Sequence, residues 1–234
     1  FGINFNIYYL ILIGRVKDAL KSEELHWFLL IILFSSAAIA VGIAKIYGGI
    51  GQGLRYAFFN VASIISTTGF GNGDFVLWPE YCKWILVLLM FCGGCAGSTG
   101  GGLKLSRVIM LLKSTAAELR QMQRPRSINR VRMDGKPVKQ DVLPAVANFG
   151  IFYFVILLFT TFIVSFNGFD ITTNFTAALS CLSNIGPGMG LVGPTGSFAI
   201  FSGFTKLVLS FTMLLGRLEI YPLLILFAPG TWKK

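Results

Sequence analysis

Charge is what this sequence has least of. Charged residues make up 13% of its 234 residues, against about 25% in soluble domains. Hydrophobic residues make up 54% and the mean hydropathy is +0.72. That excludes an ordinary soluble domain and points to an integral membrane protein. Histidine is nearly absent. The single His26 has no partner cluster and reads as an interfacial residue, not a metal ligand or a general base. A membrane-embedded enzyme needs an intramembrane constellation of His, Asp or Glu, and Glu219 is the one intramembrane carboxylate found. Four cysteines are present, Cys82, Cys92, Cys95 and Cys181. Cys92 and Cys95 have CxxC spacing, but no second pair or histidine supplies zinc ligands. All four read as small buried apolar residues. Gly102-Leu103-Lys104 lacks the Gly-Lys-Ser/Thr ending of a phosphate-binding loop. The Asn-Pro-Ala signatures of an aquaporin-like channel are also missing.

The positive charge is concentrated. Between Lys104 and Asp141 lie ten Lys or Arg against three Asp or Glu, most of the net +10. A basic loop between apolar spans is placed in the cytoplasm by the positive-inside rule. No aromatic-interleaved basic motif accompanies it, so nucleic acid is the poorer reading.

Residues 1–14 are apolar but too short to span, and read as the tail of a preceding element. The chain opens at Phe1 and not at Met, so a fragment is expected. Residues 15–24 carry mixed charge and are expected to form a cytoplasmic connection. His26 and Trp27 open a first span of about 20 residues, which Gly48, Gly49, Gly51 and Gly53 are expected to break. Residues 54–66 make a short amphipathic helix of roughly 20 Å, too short to cross and therefore re-entrant. It ends at Ser66-Thr67-Thr68-Gly69-Phe70-Gly71. Uncharged, with small residues first and glycine in the middle, this stretch reads like a potassium filter, whose backbone carbonyls replace the ion's water. The negative end of the helix dipole would face the cation. Asp74 and Glu80 beyond it read as solvated surface.

Residues 84–103 carry no charge, but six of the ten residues 93–102 are glycine. Each glycine costs a helix about 1 kcal/mol. Non-helical backbone at membrane depth survives only inside protein or beside water, so this loop is expected to line a pathway. A helix and a polar turn follow (Arg124-Pro125-Arg126, then Asp134-Gly135).

The second half repeats the first. Residues 142–166 are a full span. Residues 171–183 are a short amphipathic run ending at Ser183-Asn184-Ile185-Gly186-Pro187-Gly188. Gly186 lies 117 residues after Gly69, and that offset also pairs Ser66 with Ser183, Gly71 with Gly188 and Ser63 with Ser180. The last span, 207–228, holds Arg217, which falls opposite Gly100. An intramembrane arginine costs from about 3 to over 10 kcal/mol. It should face an aqueous path, the alternative being a helix-end arginine that snorkels to the interface. Glu219 is a poor partner, since i and i+2 do not face each other.

Four motifs carry a resemblance over nearly the whole chain: Ser66-Thr67-Thr68-Gly69-Phe70, the run Gly93–Gly102, Asn184-Ile185-Gly186-Pro187-Gly188, and Gly216-Arg217-Leu218-Glu219-Ile220. The chain resembles the second half of the Trk/Ktr/HKT potassium transporter superfamily, most of all its TrkH-type subunits. The resemblance implies an all-α integral membrane fold, potassium-channel-like, of tandem span–pore helix–filter loop–span repeats. Here these would be the third and fourth of four. It implies potassium coordination by Thr67, Thr68, Gly69, Phe70, Asn184, Ile185, Gly186 and Pro187. It implies an intramembrane gating loop (Gly93, Gly94, Gly97, Ser98, Thr99, Gly100, Gly101, Gly102) and a positive barrier at Arg217. A homodimer, a cytoplasmic nucleotide-binding TrkA-like ring and a bacterial inner-membrane location are likewise implied. No bound cofactor is implied; potassium is cargo. Many relatives carry Ala where this chain has Thr68, a departure that bears on fine selectivity.

The expected organisation is a connection over 1–26, a repeat over 27–119, a basic linker over 120–141 and a second repeat over 142–234. Two repeats cannot close a four-fold filter. Either an upstream half is missing or two copies assemble. A sodium-permeable or sodium-coupled relative is the alternative within the transport class.

Overall fold

The computed structural model describes residues 2–124, 130–139, 141–218, 220, 222 and 225. Asn4 caps the first helix, α1 (Phe5–Leu12), and a single turn, α2 (Val16–Ala19), follows. The first long helix, α3 (Glu23–Ile43), begins ahead of His26 and Trp27. Its start is set by charge: Glu23 and Glu24 occupy the first turn, where the helix dipole favours acids. The helix stops at a turn in which Gly48 and Gly49 take φ of +76° and +148°, conformations costly for any residue with a Cβ.

Gly51 and Gly53 do not break a helix, as the sequence had led us to expect; they lie inside α4 (Ile50–Ile65). A Cβ on Gly53 would stand 2.9 Å from the Ala40 carbonyl oxygen. Glycine here lets α4 lie back against α3. Asp74 also differs from expectation. It caps a short turn through the Val76 amide at 3.0 Å and accepts from the Thr195 hydroxyl at 3.2 Å, tying the two outer loops together.

The next helix, α5 (Glu80–Phe91), stops where the glycine run begins. Two short strands, β1 (Cys92–Gly93) and β2 (Leu103–Lys104), pair in parallel, Cys92 opposite Leu103. They pinch residues 94–102 into a closed loop. The amphipathic α6 (Leu105–Gln123) follows. A hairpin comes next, β3 (Arg132–Met133) against β4 (Lys136–Pro137). Asp134 and Gly135 turn it with φ of +50° and +76°, the pair of positive dihedrals that a two-residue type I′ turn requires. Pro125 and Arg126 of the other expected turn lie outside the described residues.

The second half holds α7 (Val142–Ser165), α8 (Ile171–Ser183) and α9 (Gly203–Arg217). Among the described residues α3 and α7 are long and apolar enough to cross a membrane. Between Ile151 and Phe162 the exposed face of α7 is apolar, at Ile151, Phe152, Val155, Leu158, Phe159 and Phe162, as a lipid-facing surface must be. One core runs through both halves, with Ile39, Val61, Leu86, Leu157 and Leu179 fully buried. Cys82, Cys95 and Cys181 are buried and Cys92 half-buried; all four are free thiols.

Candidate functional site

Both short helices deliver their C-termini to the same place. In the first half the chain leaves α4 through Thr67 (φ +54°) and Gly69 (φ +81°); in the second it leaves α8 through Asn184 (φ +56°) and Gly186 (φ +119°). The two exits are hydrogen-bonded alike. The Thr67 amide donates to the Ile64 carbonyl (3.0 Å), and the Asn184 amide to the Cys181 carbonyl (3.2 Å). The Thr68 amide donates to the Ser63 carbonyl (2.8 Å), and the Ile185 amide to the Ser180 carbonyl (3.0 Å). Each pair is separated by the 117-residue offset seen in the sequence.

The loops touch. A Cβ on Gly69 would stand 1.9 Å from the Ile185 carbonyl oxygen, so no side chain fits there. Gly186 is different: a Cβ there would meet only the Gly69 Cα, at 3.9 Å. Its glycine answers to backbone conformation alone. Thr68, Phe70 and Gly186 are exposed, Thr67, Gly69, Asn184 and Pro187 half-buried, and Ile185 buried. The Ser66 and Thr68 hydroxyls bond each other at 2.8 Å, and Asn184 Nδ2 donates to the Met213 carbonyl at 3.0 Å, pinning the second loop to α9.

The glycine-rich loop packs directly against both exits. The Gly101 amide donates to Thr67 Oγ1 at 3.1 Å. A Cβ on Gly101 would come within 2.2 Å of the Ser183 carbonyl oxygen, and one on Gly102 within 3.2 Å of Ser183 Oγ. Gly93, Gly94, Gly100, Gly101 and Gly102 are buried, Ser98 is half-buried, and Gly97 and Thr99 are exposed. Gly97 and Gly102 adopt φ of +71° and +67° and bracket the tip. Thr67 is β-branched and left-handed, a combination that costs about 1–3 kcal/mol and persists only where surroundings hold it.

Arg217 reaches this loop. Its Nη1 donates to the Thr99 carbonyl at 2.5 Å, and Lys104 Nζ donates to the adjacent Gly100 carbonyl. Gly216 makes that reach possible. A Cβ there would lie 1.8 Å from the Leu182 carbonyl oxygen, so glycine lets α9 press on the end of α8. Where α5 breaks, α9 stays helical through Arg217 and directs a charge at the break in its counterpart. Glu219 lies outside the described residues.

Two residues of the site are not evident from sequence. Tyr153, almost wholly buried within the span read over 142–166, shares a 2.7 Å hydrogen bond with Ser183 Oγ. Glu24, read as part of a charged connection, is buried, and its Oε1 accepts from the Ala96 and Ser106 amides. Glu24 stands beside Glu23 and Lys21, so nothing in the sequence signals that it is buried. Among the described residues no three His, Cys, Asp or Glu gather as metal ligands.

Comparison with known proteins agrees with this architecture. The TrkH family, described as cation transport proteins, matches over residues 25–234. This chain belongs to the TrkH family. The Trk system potassium uptake protein TrkG of Escherichia coli is 31% identical over 99% of this chain and 48% of its own length. TrkH of Salmonella typhimurium is 31% identical over 100% of this chain and 48% of its own length. The crystal structure of the potassium transporter TrkH from Vibrio parahaemolyticus superposes with a TM-score of 0.88 at 31% identity, over 98% of this chain and 50% of that one. The chain thus spans about half the length of the curated relatives it matches, and its TrkH-type, mostly helical membrane fold is the one the resemblance implies.

Proposed function

We propose that this chain forms half of a potassium-translocating pore in a bacterial Trk-type uptake system. One observation carries the reading. Two loops of matching backbone conformation and matching hydrogen bonds meet at Gly69 and Ile185, each at the C-terminal end of a helix too short to cross a bilayer. Converging helix C-termini favour a cation, and rigid carbonyl-rich loops can replace its hydration shell. Thr67, Thr68, Gly69 and Phe70, with Asn184, Ile185, Gly186 and Pro187, supply those carbonyls. The loop Gly93–Gly102 obstructs the path beneath, and Arg217 adds a positive barrier while the loop is in place.

The rest of the reading follows from chemistry and family. The relatives are named potassium uptake proteins, which supports potassium as the cargo and a transport role in place of an enzymatic one. The basic segment 104–141 lies on the cytoplasmic side of the inner membrane, where a TrkA-like nucleotide-binding ring would engage a homodimer. An upstream half, or a second copy of this chain, completes the pore. The repeat boundaries are 27–119 and 142–234, with 120–141 as the linker.

The test is rubidium uptake in potassium-uptake-deficient cells expressing this chain, alone and with the upstream half of a relative. Uptake that is competed by potassium and lost in Gly186→Asp supports the reading. Competition by sodium in place of potassium supports the sodium-permeable alternative. No uptake in either arm, with membrane insertion verified, overturns both.

A further inference from the structure

The glycine-rich loop is held in two different ways at its two limbs. The tip, residues 98–102, is held by Thr67 of the first filter loop and by the side chains of Lys104 and Arg217. The foot, residues 94–97, is held from elsewhere. The Cys95 amide donates to the Gly2 carbonyl at 2.7 Å, and the Phe5 amide donates to the Gly97 carbonyl at 3.1 Å. The third contact comes from Glu24. Its Oε1 accepts from the Ala96 amide at 2.8 Å and from the Ser106 amide at 3.0 Å.

Ser106 is the second residue of α6, a helix whose own N-cap residue, Lys104, makes no side-chain capping bond. The first amides of a helix need an outside acceptor, and a carboxylate there gains from the helix dipole as well. Glu24 therefore caps α6 from another helix while gripping the foot of the loop with the same oxygen. Glu24 is 7% exposed. A carboxylate so buried is tolerated only because it is hydrogen-bonded, so this grip is not incidental to a surface charge.

The start of α3, which carries Glu24, is tied in turn to the cytoplasmic hairpin. The Glu23 amide donates to Asp134 Oδ1 at 2.7 Å, at the hairpin tip. The Glu23 carboxylate pairs with Lys113 of α6, and Lys113 Nζ donates to the Arg132 carbonyl at 2.8 Å. Asp134 thus supplies the cap that α3 lacks from Ser22.

We propose that Glu24 is a positioning residue for the gating loop, and that the hairpin turning at Asp134 is the handle that moves it. This deepens the proposed function and rests on the loop's being the gate. Drawing the hairpin away uncaps α3, shifts its first turn and slackens the grip on Ala96 and Ser106. The foot then loosens without any change at the filter carbonyls.

The experiment has two readouts on the uptake-competent form of the protein. The first is hydrogen exchange of residues 92–106 in lipid nanodiscs, which needs no ion flux. Glu24→Ala is expected to speed exchange at Ala96 and Ser106 by about tenfold or more, since each loses a charge-assisted acceptor. Asp134→Ala is expected to speed it at the same peptide, some 30 residues away in sequence, and Arg120→Ala to leave it unchanged. Glu24→Gln keeps an acceptor oxygen of about half the strength and is expected to fall between. This variant serves if Glu24→Ala does not fold. The second readout is rubidium uptake, expected to rise in Glu24→Ala and Asp134→Ala with the rubidium KM and the rubidium-to-sodium preference unchanged. Unchanged exchange over 92–106 in both Glu24 variants overturns the proposal. So does an Asp134→Ala effect confined to the hairpin, or a changed ion preference, which would mark a general loosening. Faster exchange with no uptake even in the unsubstituted protein would keep the clasp and overturn the pore reading instead.

Discussion

Replacing Gly101 by alanine forces a choice on the glycine-rich loop. The new Cβ would sit 2.2 Å from the Ser183 carbonyl oxygen and 3.0 Å from Asn184 Cβ. Both belong to a stretch fixed by backbone hydrogen bonds and by Tyr153, so the filter side has little room to yield. Overpacking against such a wall costs about 1–3 kcal/mol. The loop tip is held in place by one neutral hydrogen bond to Thr67, worth about 0.5–1.5 kcal/mol, and by charge-assisted bonds from Arg217 and Lys104, about 1.5–3 kcal/mol each. The clash is comparable with any one of these. At about 1.4 kcal/mol per factor of ten, the displaced form should gain roughly five- to a hundredfold over the seated one. Rubidium uptake in potassium-uptake-deficient cells should rise, with ion preference retained. Gly168→Ala is the control: its glycine has φ of +77° and nothing within 4 Å, so it strains the backbone away from the loop. Uptake in Gly101→Ala at or below that of the unsubstituted protein, at equal expression, would refute the obstruction argument. Loss of preference for rubidium over sodium would also refute it, by showing that the filter arm gave way first.

Thr67→Val keeps the shape of the side chain and removes the acceptor for the Gly101 amide. It should raise uptake a few-fold, for the loss of about 0.5–1.5 kcal/mol, while Thr67→Ser stays near the starting level. Gly69→Ala meets both a clash at 1.9 Å and a left-handed φ, and should abolish uptake. Gly186→Ala meets only the dihedral penalty of about 1–3 kcal/mol, and should lower the melting temperature while leaving measurable uptake. Asp170 caps α8, with the Thr173 hydroxyl at 2.5 Å and the Thr173 amide at 3.0 Å. The hydrogen bond from Thr173, chiefly, holds its carboxyl below the usual carboxylate range. A depressed pKa stabilises the fold above the ordinary value of 3.8, and that gain is lost as pH falls through the lower folded value. Thermal melts in detergent between pH 6 and pH 3 should therefore flatten in Asp170→Asn; an unchanged pH slope would dismiss the cap.

Much of this arrangement could be read from residues in order. The two short helices and their glycine-bearing exits are local features. The 117-residue offset matches them because both exits pass through left-handed conformations at the same two positions, Thr67 and Gly69 in one and Asn184 and Gly186 in the other, and glycine is the residue that adopts them at least cost. The glycine run announced itself because no lipid-exposed helix tolerates it. Gly51 and Gly53 were misread for the opposite reason. Nothing near Gly53 in sequence records that Ala40 will pass so close, and a glycine used for helix contact looks like a glycine used for breaking; Gly51 has nothing within 4 Å and is simply carried in the helix. Glu24 was hidden by its company: beside Glu23 and Lys21 it looks solvated, and its partners, Ala96 and Ser106, are backbone groups with no sequence signature. Arg217 was visible as an anomaly, but its acceptor, the Thr99 carbonyl, was not, and neither was the close approach that Gly216 permits.

Of the two helices that follow these exits, α5 stops at Phe91 where the glycine run begins, and α9 stays helical through Arg217. The loop opposes both filter arms, yet the chain encodes it once. In a pore of identical subunits every gate substitution is multiplied by the symmetry, and opening waits on several parts moving together. On the proposed function, a single flap would serve both arms of this chain. On that reading its displacement is one event per chain, and a graded change in its hold should give a graded change in rubidium uptake.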